Sequence, residues 1–173
     1  GDMVITDAIK IGGDKFDEAI MRHVKAVDNL IIGEQTAEKV KIDIGNVSND
    51  RTIEKTEIKG TDTITGLPRH LEIDSLEVRE ALKEPVIKIV NMIKEVLAKT
   101  PPELVSDIVE RGIVMTGGGS KLKGLANLIS QETRVPVIVA EDPMNCVAIG
   151  AGKYYRVFKE ISSGRSIYDS INK

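Results

Sequence analysis

Residues 112–152 read GIVMTGGGSKLKGLANLISQETRVPVIVAEDPMNCVAIGAG, and their rhythm sets the fold class. Gly112–Thr116 is a short β-branched run that predicts a buried strand. Three glycines follow, and then a helical pattern from about Leu122 to Thr133. Pro136–Ala140 is a second buried-strand pattern. Asp142-Pro143 then signals a helix start, with Asp as N-cap and Pro at the first helical position. Strand, glycine turn, helix, strand, helix is an α/β order. Small residues Ala148, Gly150, Ala151 and Gly152 predict that the last helix lies close to a sheet or ligand.

The triplet Gly117-Gly118-Gly119 either cradles a ligand or only turns the chain. A P-loop needs G-x-x-x-x-G-K-[ST], but Gly119 is followed by Ser120-Lys121-Leu122. The dinucleotide fingerprint G-x-G-x-x-G puts Leu122 at its last glycine, so it also fails. The setting still suits a ligand. Missing Cβ atoms let the backbone approach a flat group, and free amides at a helix start can face a polar one. On spacing alone, a turn that needs positive φ is the plainer reading of the glycines.

Upstream, Met3–Ile11 alternates apolar and polar residues, which predicts a strand ended by Gly12-Gly13. Asp14 is then a candidate N-cap for a helix carrying Phe16, Ile20, Val24 and Val27 at helical spacing. Thr36–Ile44 reads as a short helix closed by Gly45. TIEKTEIKG at 52–60 and HLEID at 70–74 read as strands, separated by a turn with Gly66 and Pro68. Asp74 or Ser75 caps a long helix with Leu82, Val86, Ile89, Ile93 and Leu97 on its apolar stripe. Pro85 is placed to kink it, and Pro101-Pro102 stops it. The end, SSGRSIYDSINK, is polar and expected to fray.

Composition narrows the functional classes. The 173 residues are 41% hydrophobic and 3% aromatic with no Trp, so the core must be aliphatic. Charges of both signs are interspersed and sum to −3, with no basic tract, which argues against nucleic acid. The single cysteine, Cys146, fits a reducing compartment, hence cytoplasm, and reads as a small buried core residue. His23 and His70 lack an H-x-x-x-H partner, so no metal site is expected. Adjacent Glu141 and Asp142 cannot flank one glycosidic bond. No apolar run reaches the length of about 18 residues that reads as a membrane span, and the N-terminus lacks a signal-peptide pattern.

TPPELVSDIVERGIVMTGGGSKLKGL at 100–125, followed by PVIVAEDPMNCVAIGAGK at 136–153, strongly resembles the C-terminal half of the MreB family of bacterial actin homologues. IGGDKFDEAI at 11–20 and IGEQTAEKVKIDIG at 32–45 match earlier family segments in order. The resemblance covers about Lys10 to Gly152. The TGGGS and EDP pieces are shared more loosely with Hsp70-type chaperones and sugar kinases, whereas PPELVSDIVERG and LPRHLEI fit the MreB family better.

The resemblance implies an α/β actin-like, ribonuclease H-like half-molecule. Residues 1–28 and 91–160 would form an incomplete large subdomain, 29–90 an inserted small α+β subdomain, and 161–173 a tail. It implies that Gly117, Gly118, Gly119 and Ser120 close over the adenosine side of a nucleotide. Glu38, Lys39 and Lys41 would face ribose and base from the opposite wall. Glu38 and Lys41 lie three apart and so share a helical face. A solvated helix face is the plainer reading of these three. Actin-like ATPases hold phosphate between two Gly-rich hairpins, and neither is present here. IDIGN at 42–46 lacks the continuation and reads as a helix end. The chain is therefore expected to be a piece of a longer protein, with no catalytic residue of its own, inactive alone and a weak binder of ATP.

For the intact protein the resemblance implies ATP with Mg²⁺, head-to-tail filaments, and rod-shape maintenance by organising peptidoglycan synthesis. It implies a cytoplasmic location at the inner membrane face, the partners MreC, MreD and RodZ, and membrane association that is indirect or made by another part of the protein. The region around TIEKTEIKG is a candidate filament contact. Two other readings stay open on the residues: another actin-like ATPase, or an interaction domain without nucleotide chemistry.

Overall fold

The computed structural model describes residues 3–49 and 52–162. The described elements run α1 (Gly13–Asp28), β1 (Leu30–Ile31), α2 (Glu34–Ile44), β2 (Lys55–Asp62), β3 (Pro68–Asp74) and α3 (Ser75–Lys99). Then come α4 (Pro102–Arg111), β4 (Ile113–Met115), a 3-10 turn at Gly118–Lys121, α5 (Leu125–Thr133), β5 (Val137–Val139) and α6 (Cys146–Ser162). Strands β1, β2 and β3 form an antiparallel sheet in that order, while β4 and β5 pair in parallel.

The apolar spacing explains the packing. Phe16, Ile20 and Val24 recur every fourth residue on α1 and are buried. They meet Ala37, Val40 and Ile44 of α2 and Val78, Leu82 and Val86 of α3. Ile58 of β2 and Ile73 of β3 project into the same core, as do Leu122, Leu125 and Ile129. Burying each Val, Leu, Ile or Phe among them contributes about 1.5–3 kcal/mol. The core is therefore continuous across both expected subdomains, and their boundary near residues 90–91 falls inside α3.

Several expectations hold at the level of caps. Asp74 accepts from the Leu76 and Glu77 amides, and Glu77 returns a bond to the Asp74 amide, a complete capping box. Gly45 does end α2, but in extended rather than left-handed backbone. A Cβ there would lie 2.2 Å from the Lys41 carbonyl, so close approach requires the glycine.

Others need correction. Met3–Ile11 forms no strand, because no described strand lies beside it to take its hydrogen bonds, and Met3 and Val4 are exposed. Gly12, not Asp14, is the N-cap of α1; Asp14 sits in the first turn, where its charge favours the helix dipole. Pro101-Pro102 stops α3 but also starts α4, with Pro102 at its first position. The glycine triplet leads into a 3-10 turn, and α5 begins only after Gly124, which is left-handed at φ 82. Strands β4 and β5 are not wholly buried, since Val114 and Ile138 point outward. Asp142-Pro143 starts a turn, and α6 begins at Cys146 after Asn145 folds back on Asp142. Cys146 is half-buried rather than core. Added Cβ atoms at Gly150 and Gly152 would meet nothing, so neither glycine serves close packing here. Of the expected tail 161–173, residues 163–173 lie outside the described residues, and 161–162 end α6.

Candidate functional site

A cavity of about 500 Å³ opens between α2 and the turn after β4. Its first wall is one face of α2, Glu38, Lys41 and Ile42, continued by Gly45. These recur at the spacing that stacks side chains on one helical face, while Ala37, Val40 and Ile44 turn to the core. The second wall is Gly118, Gly119, Lys121, Leu122 and Lys123. The start of α1, Gly13, Asp14 and Phe16, forms the floor, and Met144 closes one side.

The glycine turn is shaped by its own bonds. Gly117 takes φ +83 and its amide donates to the Pro143 carbonyl at 2.6 Å. The Ser120 hydroxyl donates back to the Gly117 carbonyl at 2.7 Å. A Cβ on Gly118 would crowd the Met144 sulfur at 3.1 Å. The bare glycine backbone thus forms a cavity surface where side chains would project.

Lys41 is fixed in place. Its ammonium donates to the Asp17 carboxylate at 2.9 Å and to the Gly13 carbonyl at 3.3 Å. Both partners of this ion pair are largely buried. An ammonium has three donors, so these two bonds leave one of them over. The Glu38 carboxylate is exposed and has no partner among the described contacts.

The structure therefore brings Glu38, Lys41, Gly118 and Gly119 to one cavity. It does not bring Lys39, Gly117 or Ser120 to the lining. Lys39 is exposed on another side of α2, and Ser120 is buried beside a separate hollow lined with Ala126 and Val139. Sequence reasoning missed Ile42 and Gly45, which the helical spacing from Glu38 marks, and Asp17, whose partner Lys41 is distant in sequence. Phe16 and Met144 carried no sequence signal for this site.

The histidines lie elsewhere. His70 on β3 contacts Glu57 on β2, and that contact holds the Glu57 carboxyl below the usual carboxylate range. Among the described residues no group of three or more His, Cys, Asp or Glu could hold a metal ion. No described helix is long and apolar enough to cross a membrane.

Comparison with known proteins gives a consistent picture. Residues 1–163 match the family model described as MreB/Mbl protein. The chain is 50% identical over 152 residues to the cell shape-determining protein Mbl of Bacillus subtilis, covering 88% of this chain and 46% of that protein. It is 45% identical over 151 residues to the cell shape-determining protein MreB of Escherichia coli, covering 87% and 44%. The crystal structure of MreB5 of Spiroplasma citri bound to ADP superposes with a TM-score of 0.90 at 33% identity, covering 94% of this chain and 50% of that one. The chain thus spans about half the length of the curated relatives it matches. The MamK double helical filament, at 22% identity and TM-score 0.66, shares the fold.

Proposed function

The chain belongs to the MreB/Mbl family of actin-like cell shape proteins, and on that premise we propose that it holds the adenosine side of a nucleotide in a filament-forming ATPase. One observation carries the reading: Glu38 and Lys41 on α2 face Gly118 and Gly119 across a single cavity of about 500 Å³. That volume lies in the range of small-molecule sites, about 300–1,000 Å³. The relative MreB5 has been crystallised with ADP and with AMPPNP, which supports a nucleotide as occupant.

In this reading the Glu38 carboxylate accepts from the ribose hydroxyls. The glycine turn lies flat against the base and sugar, where a Cβ would intrude. Lys41 acts chiefly by fixing α2 to α1 through Asp17. Gly117 and Ser120 shape the glycine turn rather than touch the ligand, and Lys39 lies on another side of α2. Magnesium does not fit this cavity, because its lining is among the described residues and these hold no group of three or more His, Cys, Asp or Glu side chains that could hold a metal ion. Hydrolysis depends on positioning and neutralising the phosphates, and the residues for that lie outside the cavity.

For the whole protein the proposed role is ATP-controlled self-assembly at the cytoplasmic face of the membrane, directing peptidoglycan synthesis together with MreC, MreD and RodZ. Subunits would stack head to tail, a contact that does not close on itself. The test is calorimetric titration of ADP into the protein at its native length. Glu38→Ala should weaken binding about tenfold, as expected for losing a charge-assisted bond of about 1.5 kcal/mol. Parent affinity in a folded Glu38→Ala protein would remove the reading.

A further inference from the structure

The two cavity walls belong to distant parts of the chain, and residues 45–48 join them to residues 122–124 at one end. The Val47 amide donates to the Lys123 carbonyl at 2.9 Å, and Asn46 forms a parallel bridge with Lys123. The Lys123 ammonium crosses to the Glu54 carboxylate at 3.1 Å and to the Asp43 carbonyl at 3.4 Å. The Glu54 pair is half exposed, so it adds little by itself. The backbone contact carries the join.

That contact is unusually tight. Gly124 takes φ +82, and a Cβ there would lie 2.4 Å from the Ser48 nitrogen. On the other side, loop 46–48 is held in shape by Asn46. Its side-chain oxygen accepts from the Ser48 amide at 2.9 Å and the Ser48 hydroxyl at 2.7 Å. The Asn46 carbonyl accepts from the Arg79 guanidinium on α3 at 3.2 Å. Gly45 and Lys123 lie in both the join and the cavity lining. A shift of the join therefore moves both walls.

We propose that this Asn46–Lys123–Gly124 clasp is the positioning element of the cavity: it sets the separation of α2 and the glycine turn so that Glu38 and Gly118-Gly119 engage one adenosine nucleotide together. This rests on the nucleotide reading above. Asn46 and Gly124 lie outside the cavity lining. They are positioning residues that act through the walls.

The experiment titrates ADP into the protein at its native length. Gly124→Ala forces loop 45–48 away and should weaken ADP about tenfold, the loss expected when Glu38 no longer reaches the nucleotide. Gly66→Ala is the matched control. It carries the same kind of left-handed strain at φ +72, but its added Cβ meets nothing and it lies at the β2–β3 turn. It should lower the melting temperature and leave ADP affinity unchanged. A folded Gly124→Ala protein with parent affinity, or an equal loss in Gly66→Ala, overturns the proposal. If Gly124→Ala gives no cooperative melt, Asn46→Ala decides, because it keeps every glycine and removes only the two bonds to Ser48. About threefold weaker binding is expected, roughly the loss of one ordinary hydrogen bond; parent affinity overturns the clasp.

A double-mutant cycle separates positioning from bulk stability. Asn46→Ala should weaken ADP less in a Glu38→Ala background than in the parent, because its effect passes through Glu38's wall. Full additivity overturns the proposal. If Glu38→Ala is itself silent, the nucleotide reading has failed. If Glu38→Ala weakens binding and both clasp variants are silent, only the clasp has failed.

Discussion

Asp17 and Lys41 show how one residue pair ties the cavity to the core. Asp17 is 8% exposed, and one of its carboxylate oxygens has no hydrogen-bond partner. The other is held by the Lys41 ammonium. Taking away the cation leaves a buried carboxylate uncompensated, and breaking a buried pair this way costs about 3–5 kcal/mol. The small exposure of both groups places this pair at the lower end. Lys41→Met should therefore destabilise the protein by about 3 kcal/mol in urea unfolding. Asp17→Asn combined with Lys41→Met should recover most of that, because the orphaned charge is gone. Equal destabilisation in the single and double variants would show that the loss comes from packing of the lysine stem instead. The pair was invisible as a pair in the sequence. Lys41 stood out for its spacing from Glu38, whereas Asp17 looked like any helical acid until α1 and α2 were brought together.

The β2–β3 hairpin gives an element whose stability is tied to pH. Asp62 ends β2 and accepts from the Ile64 amide at 2.8 Å and the Thr65 amide at 2.9 Å. Arg69 of β3 approaches it at 3.2 Å and also reaches the Asp28 carbonyl at the end of α1. The Thr65 amide first, then the Ile64 amide, hold the Asp62 carboxyl below the usual carboxylate range. A carboxyl with a lowered folded value stabilises above its unfolded value of about 3.9, and that stabilisation is lost as pH falls through the folded value. Asp62→Ala should therefore lower the urea midpoint at pH 7. The gap from the parent should narrow below about pH 4. A gap that stays constant with pH would assign the effect to the turn geometry alone. Elements differed in how far they could be read ahead. The α3 capping box was legible because Asp74 and Glu77 act within one turn of chain. The helix α4 was missed because Pro101-Pro102 both stops one helix and starts the next. The strand expected at 3–11 failed because alternation marks only a side-chain pattern, and pairing needs a neighbour. For the site, α2's face was legible from spacing, while the floor and the clasp depend on contacts between distant segments.

At the scale of the molecule, the two-stranded sheet poses a physical problem. Strands β4 and β5 pair in parallel with Val114 opposite Ile138. Parallel strands occur almost only where both faces are covered. On one side Met115 and Val137 pack against the core. On the other, Val114 is 62% exposed and Ile138 55%. Helix α6 adds Val147, 79% exposed. The chain spans 46% of the length of its Bacillus subtilis relative, so a protein of that length has further residues that could cover this face. Replacing Val114 and Ile138 together by Thr keeps the β-branched shape that suits a strand and removes apolar surface. In the 173-residue chain alone, the pair should reduce binding of a hydrophobic dye and weaken self-association. Its melt should hardly move, since exposed substitutions usually fall within about 0.5 kcal/mol. In a longer protein with the face covered, the same two hydroxyls would be buried without partners. Each should then cost about 1–3 kcal/mol. A large shift in the longer protein against a negligible one in the short chain places the face at an internal contact. Equal small shifts in both would leave Val114 and Ile138 facing solvent, and the cover would have to come from another molecule.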